Sequence, residues 1–163
     1  MSEEIIEMLQ KKFGDAVLSS SSTEGESWAV VEGSKWPAVA KWFATETGFT
    51  FLSDLCGVDY LGKQDSRFEV VYNLTDLENP RRIRVRVPIA DGEPPKIKTV
   101  TDIWPTADWM EREAFDMFGI VFEGHLDLRR ILMPDEWEGH PLRKDYAVGK
   151  VPVEYKHLSP GYS

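Results

Sequence analysis

Residues 67–89, RFEVVYNLTDLENPRRIRVRVPI, decide the fold of this chain of 163 residues. Apolar and polar side chains alternate in both halves of the stretch, which is the period of a strand with one buried face. The TDLENP segment between the halves is rich in turn-forming residues. The inward-facing positions are Phe68, Val70, Tyr72, Ile83, Val85 and Val87. The stretch therefore predicts two strands joined by a turn, with arginines on the outer face of the second strand.

The segments before this stretch predict two helices and three further strands. Residues 49–60 are apolar enough for a buried strand, and residues 16–33 alternate around a Glu-Gly turn as in a hairpin. Helical spacing occupies residues 3–13 and again the segment that follows Ser34, a candidate N-cap, and ends before Gly48. The order helix-β-β-helix-β-β-β predicts an α+β fold of two layers, with the helices packed on one face of a mixed β-sheet.

Beyond residue 90 the chain changes character. Residues 106–118 predict a third helix, with Thr106 as its N-cap and Gly119 as a left-handed residue after its end. The part that follows is turn-rich but too aromatic to be disordered. We predict a single α+β domain over residues 1–146 and an extended C-terminal arm over residues 147–163.

The composition of the chain argues against several classes of function. The single cysteine, Cys56, excludes an internal disulfide and an iron–sulfur cluster held by this chain alone, because such clusters need about four thiolates. A net charge of −9 argues against binding to nucleic acid, which requires basic patches. No apolar run approaches the roughly 18 residues of a membrane-spanning helix. We expect a cytoplasmic protein that is at most peripheral to a membrane.

The sequence contains no pattern typical of a catalytic site. It lacks a nucleophile elbow, a phosphate-binding loop, a dinucleotide fingerprint and the H-E-x-x-H zinc motif. His125 and His140 are far apart and remote from Cys56, so we interpret them as turn histidines that donate to backbone carbonyls rather than as zinc ligands. We predict no catalytic residue, metal or cofactor in the chain, and a stand-alone enzyme with an acidic active site remains the alternative of another class.

Charged residues in and after the third helix allow two interpretations. The charged residues outside the apolar face of this helix, as on a solvated face, are Glu111, Arg112, Glu113 and Asp116. Glu113 and Asp116 belong either to that face or to ion pairs with arginines from the following loop or from a partner. Arg129 and Arg130 stand between apolar residues. They are either a surface pair with packed stems or an inter-element or interfacial pair with a carboxylate. For the two arginines we favour the inter-element or interfacial pair with a carboxylate.

Residues 109–146 resemble the signature of one family, the C subunit of the proton-pumping NADH:quinone oxidoreductase, respiratory complex I. The resemblance rests on E-R-E-x-x-D-M-F-G-I, then G-H-x-x-L-R-R-I-L-M-P, then W-E-G-H-P-L-R-K-D-Y, in this order. The preceding α+β pattern agrees with the family fold, so the resemblance extends over residues 1–150. Leu126 and Ala147 stand where the family commonly has proline, which affects local turn rigidity.

The resemblance implies a non-catalytic docking subunit of the hydrophilic arm that holds the quinone-site subunit, called D in this family, in place, with the B and I subunits nearby. It implies flavin and iron–sulfur clusters in the partner subunits, and membrane contact only through the assembled complex on the cytoplasmic side. An equivalent subunit of a membrane-bound hydrogenase, or of another donor:quinone dehydrogenase, is the alternative.

Residue type and position select the candidates for the partner interface. Arginine and tryptophan dominate the energetically important positions of protein interfaces. The candidates are Glu113, Asp116, Arg129, Arg130, Trp137, His140, Arg143 and Tyr146.

Overall fold

Three helices and seven strands make up the described part of the chain, residues 2–23 and 26–147, in the computed structural model. The helices are α1 (Ser2–Phe13), α2 (Trp36–Glu46) and α3 (Ala107–Phe118), and a short 3₁₀ helix covers Gly14–Ala16. The strands are β1 (Val17–Thr23), β2 (Glu26–Val31), β3 (Phe51–Asp59), β4 (Phe68–Asp76), β5 (Arg81–Pro88), β6 (Lys96–Lys98) and β7 (Val121–Glu123).

The first five strands form one mixed sheet in the order β1-β2-β5-β4-β3. The pair β4–β5 is antiparallel, with Tyr72 opposite Val85 and Val70 opposite Val87. The contact of β2 with β5 is parallel, and the two outer pairs are antiparallel. The predicted hairpins and the mixed sheet are therefore confirmed.

The core lies between this sheet and the helices. Trp36 of α2 packs on Tyr72 of β4, with 4.4 Å between ring centroids, and on Trp104, with 6.4 Å. All three side chains are buried. The opposite face of the sheet exposes Cys56 and Arg84, as the alternation in β5 predicts. The predicted two-layer α+β fold is confirmed.

Glycines follow the ends of two helices as predicted, whereas the two predicted N-cap side chains do not cap their helices. Gly48 and Gly119 have φ of 84° and 73°, the left-handed region in which a glycine is favoured. The N-cap of α2 is Lys35, so the prediction of Ser34 is wrong, because the Ser34 hydroxyl donates to the Glu32 carboxylate instead. Thr106 occupies the N-cap of α3, but its hydroxyl donates to the Leu52 carbonyl at 3.4 Å rather than to the helix.

A two-stranded parallel sheet, β6–β7, was not predicted from the sequence. It aligns Ile97 with Phe122, both buried, and brings the chain on either side of α3 together. Residues 124–147, here called the C-terminal loop, contain neither helix nor strand, as predicted. From residue 148 onward the predicted extended arm lies outside the described residues, and the division into a domain and an arm stays a prediction.

Candidate functional site

The C-terminal loop is held against α3 by the carboxylate of Asp116. This side chain is fully buried, and its Oδ2 accepts the backbone N–H groups of Ile131, Leu132 and Met133 at 3.1, 2.8 and 2.8 Å. Amides of a loop that has no strand partner would otherwise be left unpaired when they are covered. One side chain of the helix therefore replaces a missing backbone partner for three consecutive loop residues.

Arg130 completes the pairing of Asp116. Its Nη1 donates to Oδ1 of Asp116 at 2.6 Å, and its Nη2 donates to the carbonyls of Trp137 and Gly139 at 2.8 and 3.0 Å. Burial would raise the pKa of Asp116, but the hydrogen bonds from the loop amides and from Arg130 outweigh it and hold the pKa below its usual range. Arg130 thus forms an ion pair with a carboxylate of α3, and it also holds the loop backbone at Trp137 and Gly139.

Arg112, one turn before Asp116 on α3, binds the same loop. Its Nε and Nη2 donate to the carbonyls of Arg129 and Arg130 at 3.2 and 3.1 Å, and its guanidinium lies 5.1 Å from the ring of Trp109. The side chain of Arg129 itself is exposed and pairs with Asp127 at 2.9 Å. Of these two adjacent arginines, Arg130 forms its ion pair with α3, whereas Arg129 forms its ion pair within the loop.

His140 and Arg143 cover the C-terminal end of α3. Nδ1 of His140 donates to the Asp116 carbonyl at 2.9 Å, and Nε of Arg143 donates to the Phe118 carbonyl at 2.6 Å. These bonds occupy carbonyls that a helix end leaves without an internal partner. A Cβ at Gly119 would lie 2.6 Å from both His140 and Arg143, so only a glycine leaves room for them. Burial and the neighbouring Arg143 charge lower the pKa of His140.

A second buried carboxylate, Asp59 at the end of β3, binds the last residues of the loop. It accepts the Lys144 amide at 2.8 Å and two N–H groups of Arg67 at 3.1 and 3.0 Å. Arg67 also pairs with Asp145 at 2.7 Å. Burial opposes ionisation of Asp59, but the bonds from Arg67 and Lys144 lower its pKa. The loop is therefore fixed at two places: residues 130–133 bind α3, and Lys144 near its end binds the sheet.

Glu111 is a buried acid that the sequence interpretation placed on a charged helix face. Its carboxyl accepts the Thr99 hydroxyl at 2.5 Å and the Val100 amide at 2.8 Å. Burial raises its pKa to about 7. The signal that could have found it is its position one turn from Ala107 and from Ala114, since all three share a buried helix face.

The remaining candidates lie at different depths. Glu113 is exposed and forms no ion pair with residues 2–23 or 26–147. Trp137 and Tyr146 are half-buried; the Trp137 indole N–H has no hydrogen-bond partner within the described residues, and the Tyr146 hydroxyl lies 3.5 Å from the Glu138 carbonyl. Contact of any candidate with a partner protein stays a prediction.

His125 and His140 are turn histidines, as interpreted from the sequence. Nε2 of His125 lies 3.2 Å from the Asp108 carbonyl, and His140 binds a carbonyl of α3. Across the described residues no group of three His, Cys, Asp or Glu side chains is placed to hold a metal ion. In the same part of the chain no helix is long and apolar enough to cross a membrane.

The internal polar network leaves large apolar side chains exposed on and beside the loop. Leu126 is 99% exposed, Trp109 61%, Leu132 58% and Leu142 52%. Exposed apolar side chains of this size are candidates for contact with a protein, whereas Arg130, His140 and Arg143 already bond within the chain.

Comparisons with known proteins find a family model and relatives that match most of this chain. A family model described as "Respiratory-chain NADH dehydrogenase, 30 Kd subunit" matches residues 29–152. A protein of Geotalea uraniireducens (strain Rf4), named as the C subunit of an NADH-quinone oxidoreductase, is 46% identical over 85% of this chain and 83% of its own length. One of the same name from Roseiflexus sp. (strain RS-1) is 44% identical over 93% of this chain and 87% of its own length.

Two further comparisons match a longer relative and a chain of a solved structure. A longer protein of the same name from Salinispora tropica is 54% identical over 66% of this chain, a match that spans 44% of that protein. A chain in the structure titled "Structure of the membrane-bound sulfane sulfur reductase (MBS), an archaeal respiratory membrane complex" superposes with a TM-score of 0.76 at 25% identity. That superposition covers 89% of this chain and 85% of the other.

Proposed function

This chain belongs to the respiratory-chain NADH dehydrogenase 30 Kd subunit family, and from that membership we propose that it docks and holds the quinone-site subunit, called D, in a proton-pumping NADH:quinone oxidoreductase. The B and I subunits lie nearby in this proposal. The chain takes no part in the chemistry, and flavin and iron–sulfur clusters reside in its partners. It works at the cytoplasmic side of the membrane, which it meets only through the assembled complex.

One observation carries the docking role: the side chains of Arg130, His140 and Arg143 bond within the chain. The side chains of Leu126, Leu132 and Leu142 in the same loop are exposed. The guanidinium of Arg130 is 15% exposed and already binds Asp116. Leu132, in contrast, donates its backbone N–H to the same carboxylate while its side chain is 58% exposed. In this proposal the exposed apolar groups contact the partner, and the buried charged residues hold the loop that carries them in position.

A second candidate is the same docking role in an assembly with a different electron donor. The likeness to a chain of the archaeal sulfane sulfur reductase complex supports it, since that structure has the same fold at 25% identity. Relatives that are 44–54% identical carry the NADH-quinone oxidoreductase name, which favours the first candidate. Subunits recovered with the tagged chain distinguish the two, because only one assembly contains an NADH-oxidising flavoprotein.

The docking role is tested by placing a charge on the loop surface. We expect Leu132→Asp to lower recovery of the quinone-site subunit with the tagged chain at least tenfold, roughly 1.4 kcal/mol, because a carboxylate is costly at an apolar contact. Leu77→Asp is the matched control: Leu77 is 67% exposed, but it lies in the turn between β4 and β5.

Both variants should unfold within about 0.5 kcal/mol of the wild type when measured alone, since the replaced side chains are exposed. Full recovery of the quinone-site subunit by Leu132→Asp would contradict the proposal. NADH oxidation or another turnover by the purified chain alone would instead favour the stand-alone enzyme.

A further inference from the structure

A cleft of about 920 Å³ lies beside the C-terminal loop, between the start of α2 and residues 98–108. The side chain at its edge, Leu126, is 99% exposed. A leucine that makes almost no contact within its own chain, at the edge of an apolar depression, is available to close over a bound group. The apolar lining residues are Pro37, Ala38, Ile103, Pro105 and Leu126.

The wall formed by residues 98–108 is held rigidly from behind. Glu111 of α3 binds the Thr99 hydroxyl and the Val100 amide. The Trp104 amide donates to the Val100 carbonyl at 2.9 Å, and the buried Trp104 indole donates to the Phe49 carbonyl at 3.2 Å. A wall with these internal bonds does not have to be ordered when a partner binds, which lowers the entropy cost of association.

Charges around the cleft are only partly paired within the chain. Lys41 on α2 and Asp102 on the opposite wall form no ion pair with any residue between 2 and 23 or between 26 and 147. Lys98 pairs with Glu123 at 3.2 Å, and Asp108 lies 3.3 Å from Nε2 of His125, whose Nδ1 accepts the Asp127 amide. The cleft thus offers the Lys41 cation on one wall and the Asp102 anion on the other, with an apolar interior between them.

We propose that this cleft receives an apolar side chain of a partner polypeptide, flanked on its own chain by a carboxylate for Lys41 and a cation for Asp102. The inference rests on the proposed function, because Leu126 belongs to the C-terminal loop and a partner lying on that loop reaches the cleft. A polypeptide suits the cleft better than a small molecule, since sites for small ligands enclose most of the ligand and this cleft is open along one side.

Site-specific photo-crosslinking in the assembled complex tests the occupant. A photoreactive residue at Ala38, which lies on the wall of the cleft, should crosslink to another subunit at an apolar residue with an acidic and a basic neighbour. The control position is Thr45, exposed two turns later on α2 and outside the cleft. Absence of a crosslink from Ala38, or a crosslink to a second copy of this chain, would overturn the inference.

Filling the cleft separates this inference from the proposed function. Ala38→Trp should lower recovery of the partner subunit about tenfold, whereas Thr45→Trp should stay within twofold of the wild type, and both chains alone should unfold as the wild type does. If Leu132→Asp releases the partner and Ala38→Trp does not, the cleft inference is overturned and the docking role stands. Full recovery with both variants would overturn both.

Discussion

Asp116 and Glu111 are both buried on α3, one turn and a half apart, and their surroundings shift the two pKa values in opposite directions. Asp116 faces three backbone amides and the Arg130 guanidinium, which favour the charged form. Burial is the main cause that raises the pKa of Glu111; its one amide and one hydroxyl donor do not offset it, and the nearby Asp108 and Asp102 charges add to it. Both carboxylates are buried, so the number of donors and the presence of a cation decide whether burial is outweighed.

Asp116→Asn should destabilise the chain strongly. The amide keeps the shape of the side chain but leaves the Arg130 charge buried without a counter-charge, a loss of about 3–5 kcal/mol when one partner of a buried pair is removed. The free energy of unfolding from urea titration measures it. Glu113→Gln, three residues earlier and exposed, should stay within about 0.5 kcal/mol of the wild type. Equal stability of both variants would contradict the assigned role of Asp116.

Glu111→Gln should change how stability depends on pH. The folded-state pKa of about 7 lies above the ordinary value of 4.5, so the folded chain holds this proton more tightly than the unfolded chain does. Wild-type stability from this group is therefore full below about pH 4.5 and is lost as pH rises through 7. At about 1.4 kcal/mol per tenfold change in proton affinity, the loss is at most about 3 kcal/mol.

Urea unfolding of both proteins at pH 5 and pH 8 measures this difference. Glutamine has no proton to lose, so the stability of the variant relative to the wild type should rise between pH 5 and pH 8. A difference that is the same at both pH values would contradict a raised pKa for Glu111.

At the level of elements, the sequence predicts the strands in which apolar and polar residues alternate over many residues. It does not predict strands of only a few residues, which form because of contacts with distant parts of the chain. The alternation in β4 and β5 runs over nine and eight residues and is unambiguous. Strands β6 and β7 have three residues each, too few for a period, and they exist because Ile97 and Phe122 are buried together. Turn glycines were predictable because a left-handed backbone needs them.

The charged residues of α3 belong to the part of the candidate site that could not be predicted from the sequence. The sequence interpretation placed Glu111 and Arg112 on a solvated face and left Asp116 open between that face and an ion pair, yet all three are buried. Their partners are backbone groups of a loop, which no pattern of side chains in the sequence reveals. The resemblance of residues 109–146 located this region, but the pairing within it needed the structure.

Gly119→Ala tests the junction between α3 and the C-terminal loop. Gly62→Ala is its matched control, because Gly62 has nearly the same φ, 71° against 73°, and no atom within 4 Å of its added Cβ. The control should cost only the left-handed backbone strain, about 1–2 kcal/mol. Gly119→Ala should cost a further 1.5–3 kcal/mol or so, because it displaces Arg143 from a charge-assisted hydrogen bond. Equal unfolding free energies for the two variants would mean that the loop does not pack there.

At the scale of the whole molecule, hydrogen bonds within the chain fix the loop that we propose as the docking surface. The carboxylates of Asp116 and Asp59 fix the loop near its middle and near its last residues, although the chain as a whole carries a net charge of −9. A fixed loop loses less conformational entropy on binding than a loop that must fold onto its partner. Acidic residues therefore act inside the chain as structural acceptors.

Hydrogen exchange distinguishes a loop ordered in advance from one ordered by its partner. The amides of Leu132 and Met133 lie 2.8 Å from the Asp116 carboxylate, so we expect them to exchange slowly in the free chain and at most about tenfold more slowly in the complex. In Asp116→Asn the same two amides should lose protection in the free chain, while amides of the paired strands β4 and β5 keep more of theirs. Fast exchange of Leu132 and Met133 in the free wild type, with protection gained only in the complex, would show that the partner orders the loop and that the buried carboxylate does not.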